Sequence, residues 1–333
     1  MKSPISLLSI LLLSAIISSC SLFGTSDPEA QRLTEHRVST STGITQGQSF
    51  GLSSSAPAGV VSWFDIPYAQ PPVGDLRWRA PRELNAPEQL IVERDDTSCV
   101  QKASRFAGVE GEGMVGSEDC LFLDIKAPAD FASQNYPVML WIHGGGNTSG
   151  LKDYYEYDKL VARKDVVVVA VNYRLGALGW FTHPAIQDLQ QGLDKTSNFG
   201  LLDIIESLKW VQKNIAQFGG DSSNVTIFGE SAGGHNVLAL LASPQAEGLF
   251  HKAISQSGYT QEVSAQDAYN KNGTNSLIAR GSWQITNKLL DKPQSEHSAG
   301  QLRSLLKGTD AIEFISLYQT GDLDFDRMPL TTV

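Results

Sequence analysis

The chain has 333 residues, and 26 Lys and Arg against 36 Asp and Glu leave a formal charge of −10. With 41% hydrophobic and 19% charged residues it holds the apolar content of one large domain or two small ones, which excludes disorder as its main state. A pI near 5.1 and the lack of a basic stripe exclude nucleic acid as an expected partner.

Met1 and Lys2 precede a thirteen-residue run, Ile5 to Ile17, made only of apolar residues and serines. That is too short to span a bilayer, which takes about 20 residues, but it fits the core of a signal peptide. The run ends at Ile17-Ser18-Ser19-Cys20, a pattern similar to the bacterial lipobox. Residues 1–19 are therefore expected to be a signal peptide, and residues 20–37 a lipidated Cys20 followed by a polar tether. The expected location is outside the cytoplasm, anchored to a membrane through that lipid. An ordinary cleaved signal peptide, leaving a soluble exported protein, is the alternative. Residues 38–333 read as one body, with no linker to divide it.

From Val38 short apolar runs alternate with Gly, Ser and Pro, as at Gly59 to Asp65, which predicts antiparallel strands at the start. Cys99 and Cys120 follow in a stretch rich in Gly, Glu and Ser. A disulfide there would pin a loose surface loop and is expected only outside the reducing cytoplasm; two buried free thiols are the alternative. Pro137–Ile142 and Val166–Val171 are continuous apolar runs of the kind buried on both faces of a parallel sheet, and Val225–Phe228 is a shorter one. Between Leu201 and Phe218, apolar residues at 201, 204, 205, 208, 211, 215 and 218 form one helical stripe, stopped by Gly219-Gly220. A second helix is predicted from Ser231 to Ala242, before Pro244. Beyond residue 260 the pattern is helical and polar. Strands alternating with helices predict an α/β fold, a doubly wound and mostly parallel sheet opened by an antiparallel section.

Gly229-Glu230-Ser231-Ala232-Gly233 is G-x-S-x-G. It lies between a predicted strand and a predicted helix, where a sharp turn thrusts a serine hydroxyl clear of the backbone. An attacking serine creates an oxyanion that needs donors. The Ala232 amide at the helix N-terminus is one, and the glycine run in His143-Gly144-Gly145-Gly146 lets further amides approach a substrate.

Several further segments make the chain resemble the type B carboxylesterase family, the cholinesterase-like branch of the α/β-hydrolases. In order they are Ile66-Pro67-Tyr68-Ala69 with Pro71-Pro72-Val73-Gly74 and Leu76-Arg77-Trp78, then Ser117-Glu118-Asp119-Cys120-Leu121, then Trp141 to Gly146. Asn172-Tyr173-Arg174-Leu175-Gly176, Asn198 with Gly200–Asp203, Phe218-Gly219-Gly220-Asp221, the serine motif and His251–Gly258 complete the series. The likeness covers about residues 38–260. It implies the α/β-hydrolase fold and hydrolysis of carboxylic esters through an acyl-enzyme on Ser231. Gly145, Gly146 and Ala232 would form the oxyanion hole, Cys99 and Cys120 a disulfide, and Arg77–Glu118 and Arg174–Asp203 buried structural ion pairs. Neither a cofactor nor a metal is expected. The implied partner is a small-molecule ester, and the Cys99–Cys120 loop lacks the tryptophan that would hold a quaternary ammonium group.

One requirement is unmet. A nucleophilic serine needs a general base oriented by a carboxylate, which in this fold come after the serine as Asp or Glu, then His. After Ser231 come only His235, in the same helix as the serine, His251, in a scaffold segment, and His297, in a polar stretch. His143 reads as a strut of the glycine loop, and Asp322, Asp324 and Asp326 as loop acids. The expected acid and base therefore lie beyond Val333, and the chain reads as the N-terminal part of an esterase, inactive alone and with apolar surface exposed. A non-catalytic, cholinesterase-like binding domain and a truncated product without function are the alternatives.

Overall fold

The computed structural model describes residues 36–49, 59–273 and 281–318, together with the backbone of residues 330–331. The signal peptide, Cys20, most of the tether and Asp322, Asp324 and Asp326 lie outside the described residues.

Seven strands form the main sheet: β1 (Gln48–Ser49), β2 (Val60–Pro67), β3 (Phe122–Pro128), β4 (Tyr136–Ile142), β5 (Val167–Val171), β6 (Gly220–Glu230) and β7 (Lys252–Gln256). Their order is β7-β6-β4-β5-β3-β2-β1. The four strands β7, β6, β4 and β5 run parallel, while β3, β2 and β1 join them through antiparallel pairs. The antiparallel opening and the parallel centre are the architecture the sequence predicts. Strand β6 is longer than the apolar run Val225–Phe228, because its ladder with β4 continues across an irregularity between Asp221 and Val225.

Helices cover both faces. Alternate residues of β4 explain why the run had to be apolar throughout: Val138, Leu140 and Ile142 enter the main core, while Met139 and Trp141 point to the opposite face. Helix α1 (Asp158–Lys164) covers that second face through Val161. On the main-core face lie α2 (Phe199–Asn214) and α3 (Ala232–Ala242). The predicted stripe from Leu201 to Phe218 is buried throughout, although the last turn, Ile215–Phe218, tightens to 3₁₀ and ends at Gly219 with φ 73°.

The segment between Cys99 and Cys120 differs from the loose loop expected. Gln101–Ser104 and Val109–Val115 pair as an antiparallel hairpin, and the two cysteines, joined in a disulfide, are buried at its base. The apolar contacts at that base order a stretch whose composition suggests a flexible one.

Beyond residue 260, among the described residues, four short α-helices appear, of which Ser282–Lys288, Ala299–Gly308 and Ala311–Ser316 pack a second core around Trp78, Phe181 and Phe314. A two-residue parallel pairing of Glu262–Val263 with Leu330–Thr331 adds a strand contact absent from the predicted pattern. Among the described residues no helix is long and apolar enough to cross a membrane.

Candidate active site

Three parallel strands end side by side and place the site. Gly229, near the end of β6, is in register with Ile142, the last residue of β4, and Glu230 with Gln256 of β7. The His143–Gly146 loop therefore leaves β4 beside the turn that carries Ser231, at the carboxyl ends of the strands.

Ser231 has φ 55° and ψ −119°, a conformation that costs a non-glycine residue free energy and survives only where its surroundings enforce it. Its amide donates to the Gln256 carbonyl at 2.8 Å, and its own carbonyl accepts the His235 amide at 2.9 Å. The flanking glycines are required by close approach. A Cβ on Gly229 would lie 2.6 Å from the Gly233 backbone, and one on Gly233 would lie 2.0 Å from the Ile142 carbonyl oxygen.

The glycine loop presses on this turn: a Cβ on Gly144 would stand 3.4 Å from Ser231 Cβ. Gly145 and Gly146 have φ of 95° and 65°. The Gly145 carbonyl accepts the amides of Thr148 and Ser149, both at 3.0 Å, so the loop folds back on itself. Among the described residues no acceptor receives the amides of Gly145 or Gly146. Ala232 is the first residue of α3, where an amide has no intrahelical acceptor. Gly145, Gly146 and Ala232 thus lie on the two segments that meet at Ser231.

Ser231 opens on a cavity of about 660 Å³. Its walls include Phe106, Trp141, Tyr154, Tyr155 and Tyr259, with Glu230 the one charged side chain among the described residues that line it. Of this aromatic wall the motifs mark only Trp141. The signals for it are the Tyr154-Tyr155 pair just after the glycine loop and the alternation of β4, which turns Trp141 away from Leu140.

All six histidines are among the described residues, and none hydrogen-bonds to Ser231 Oγ. His143 is buried, stacked on Tyr173, and donates from Nδ1 to the Gly144 carbonyl at 2.9 Å. Burial lowers its pKa to about 4, only partly offset by that carbonyl, so it is neutral at pH 7. His235 donates to the Tyr259 carbonyl and stacks on the Tyr259 ring, and burial lowers its pKa as well. His251 accepts the Val225 amide, and His183 accepts the Ala185 amide and contacts Gln294. His36 contacts Ser49, and the His297 amide donates to the Gln294 carbonyl.

Buried ion pairs lie elsewhere in the fold. Arg77 grips Glu118 with two bonds of 2.5 and 2.6 Å and donates to the Thr309 carbonyl at 2.6 Å. Arg174 grips Asp203 at 2.6 and 2.7 Å, both side chains being buried. A further cluster, unmarked by any motif, buries Lys152 between Asp65 and Asp124 at 2.9 and 2.8 Å. Burial raises the Asp124 pKa to about 6 against the pull of Lys152. No group of three or more His, Cys, Asp or Glu among the described residues could hold a metal ion.

Residues 34–331 match the model of the carboxylesterase family. The para-nitrobenzyl esterase of Bacillus subtilis is 43% identical over 216 residues, 63% of this chain and 42% of the relative. The fumonisin B1 esterase of Sphingopyxis macrogoltabida is 42% identical over 214 residues, 62% of this chain and 38% of the relative. The human cocaine esterase is 43% identical over 220 residues, 61% of this chain and 37% of the relative. A solved PNB esterase superposes with a TM-score of 0.70 at 34% identity, covering 86% of this chain and 53% of the other. A thermophilic PNB esterase gives 0.69 at 32%, covering 90% and 58%. The matches to the three named sequence relatives extend over only 37 to 42% of the relatives' own length.

Proposed function

Because the chain belongs to the carboxylesterase family and has its α/β-hydrolase fold, we propose that Ser231 is the nucleophile of a carboxylic ester hydrolase. In this reading Ser231 Oγ attacks the ester carbonyl carbon and gives its proton to a general base. The carbonyl oxygen becomes an oxyanion received by the amides of Gly145, Gly146 and Ala232. Collapse expels the alcohol, which takes the proton back from the base, and water then releases the acid from Ser231 by the same route. The observation that carries the reading is the strained φ of 55° at Ser231, held facing a loop with two unbonded amides.

The base and its carboxylate are proposed to come from sequence that these 333 residues do not contain, since among the described residues no histidine side chain hydrogen-bonds to Ser231 Oγ. That same fact favours a second reading, a cholinesterase-like domain that binds esters without hydrolysing them. A fluorophosphonate probe separates the two. Residues 21–333 and a chain extended by the downstream gene sequence are treated in parallel. Labelling of the extended chain alone supports the hydrolase with a distant base, and labelling of neither leaves the binding domain.

We further propose export and anchoring to a membrane through a lipid on Cys20. The apolar run before it and the oxidised Cys99–Cys120 pair support an extracytoplasmic compartment. Mass spectrometry finding an unmodified Cys20 thiol at an uncleaved N-terminus would end this proposal.

A further inference from the structure

The glycines that would receive the oxyanion have no side chains of their own to fix them, so something adjacent must. Asn147 follows Gly146 directly. It is fully buried and has φ 58°. Its backbone carbonyl accepts the Gly176 amide at 2.7 Å, and its side-chain Oδ1 accepts Asn236 Nδ2 at 2.9 Å, with the Tyr173 hydroxyl oxygen 3.4 Å away. Asn236 is also fully buried and lies on α3, five residues after Ser231. The Asn236–Asn147 bond is therefore a direct tie between the helix that starts at the serine and the loop that faces it. Tyr173 braces the same loop one step earlier, donating to the His143 carbonyl at 2.7 Å.

The pair is a poor device for stability alone. Two amides are taken out of water for one mutual bond, and both Asn147 Nδ2 and Asn236 Oδ1 are left without a partner. Buried polar atoms left unpaired cost free energy that two apolar side chains would not. What the pair supplies is a fixed distance and angle between two elements, which apolar packing specifies less tightly.

We propose that Asn236 is a positioning residue: acting through Asn147, it holds the Gly145 and Gly146 amides over Ser231. This rests on the hydrolase reading for its purpose, but the tie itself can be measured without any reaction. Hydrogen–deuterium exchange of the peptide spanning residues 142–151 is followed in the full chain and in Asn236→Leu, Asn147→Gly and the double variant. Glycine suits position 147 because it tolerates the positive φ. The Asn236→Leu change should raise exchange of that peptide about tenfold, leaving β5 and α2 protected as before. In the Asn147→Gly background the same change should add less than twofold, since its partner atom is gone.

Unchanged exchange in Asn236→Leu, or the same increment in both backgrounds, overturns the proposal. Should the leucine variant fail to fold, Asn236→Ser, too short to bridge, carries the same comparison, and a loss of protection spread evenly over its fold counts against the proposal. The extended chain gives a second readout: Asn236→Leu should slow covalent labelling by fluorophosphonate about a hundredfold with its initial binding unchanged. If the unsubstituted extended chain never labels, the hydrolase reading fails while exchange still decides the tie. If it labels and exchange shows no coupling, the tie alone fails.

Discussion

Single atoms decide whether the turn at Ser231 can exist. A methyl group on Gly233 would meet the Ile142 carbonyl oxygen at 2.0 Å, and backbone cannot give way as a side chain can. Gly233→Ala should cost about 1–3 kcal/mol in urea unfolding. Gly300, in the helix Ala299–Gly308, has nothing within 4 Å, so Gly300→Ala should stabilise by about 0.5–1 kcal/mol. Equal effects at the two positions would contradict the close approach at the turn. His143 adds a pH dependence. Burial depresses its folded pKa to about 4, below the ordinary value of 6.5, so the unfolded chain binds a proton that the folded one refuses. Its contribution to stability is full above pH 6.5 and is lost as pH falls towards 4, a change of roughly 3 kcal/mol. Replacing His143 by Gln should flatten the unfolding free energy over that window, and an unaltered slope would place the titration elsewhere.

At the scale of elements, buried charge joins strand ends to helices. Arg174, just after β5, is tied to Asp203 in α2, and removing one partner leaves the other charged and dry. Arg174→Met should cost about 3–5 kcal/mol, most of it recovered in Arg174→Met with Asp203→Leu, as read from urea midpoints. The Cys99–Cys120 bridge closes a separation of 21 residues, and its reduction should cost about 3 kcal/mol, seen as a lower Tm with a thiol reductant. The central strands, α2 and the serine turn were legible in the sequence because each depends on local pattern: continuous apolar runs, a helical stripe, glycines around a serine. The Cys99–Cys120 hairpin was not, since its order comes from contacts at a buried base that its Gly-rich composition hides. Most of the aromatic wall escaped for a related reason. Phe106, Trp141, Tyr155 and Tyr259 converge from four separate segments, and nothing in any one of them announces the others. The Asn147–Asn236 tie spans 89 residues and carries no motif at all.

At the scale of the whole molecule, the edge strand β7 is open to solvent among the described residues. All five residues of β7 are exposed, and Ile254 is 46% open to solvent, although parallel strands are ordinarily covered on both faces. An uncovered strand edge invites pairing with another chain. The 333-residue chain should therefore self-associate, and Ile254→Lys should lower its apparent mass in light scattering; a monodisperse monomer without the substitution would contradict this. The uncovered strand adjoins the serine turn through the bond from the Ser231 amide to Gln256, so whatever covers β7 also steadies the site.

The central claim is that Ser231 presents its hydroxyl to the amides of Gly145, Gly146 and Ala232. Its most direct test is a crystal structure of the extended chain after reaction with a fluorophosphonate. The account predicts one covalent adduct, on Ser231, with its phosphoryl oxygen about 3 Å from those three nitrogens. An adduct on another residue, or a phosphoryl oxygen turned away from the glycine loop, would contradict it.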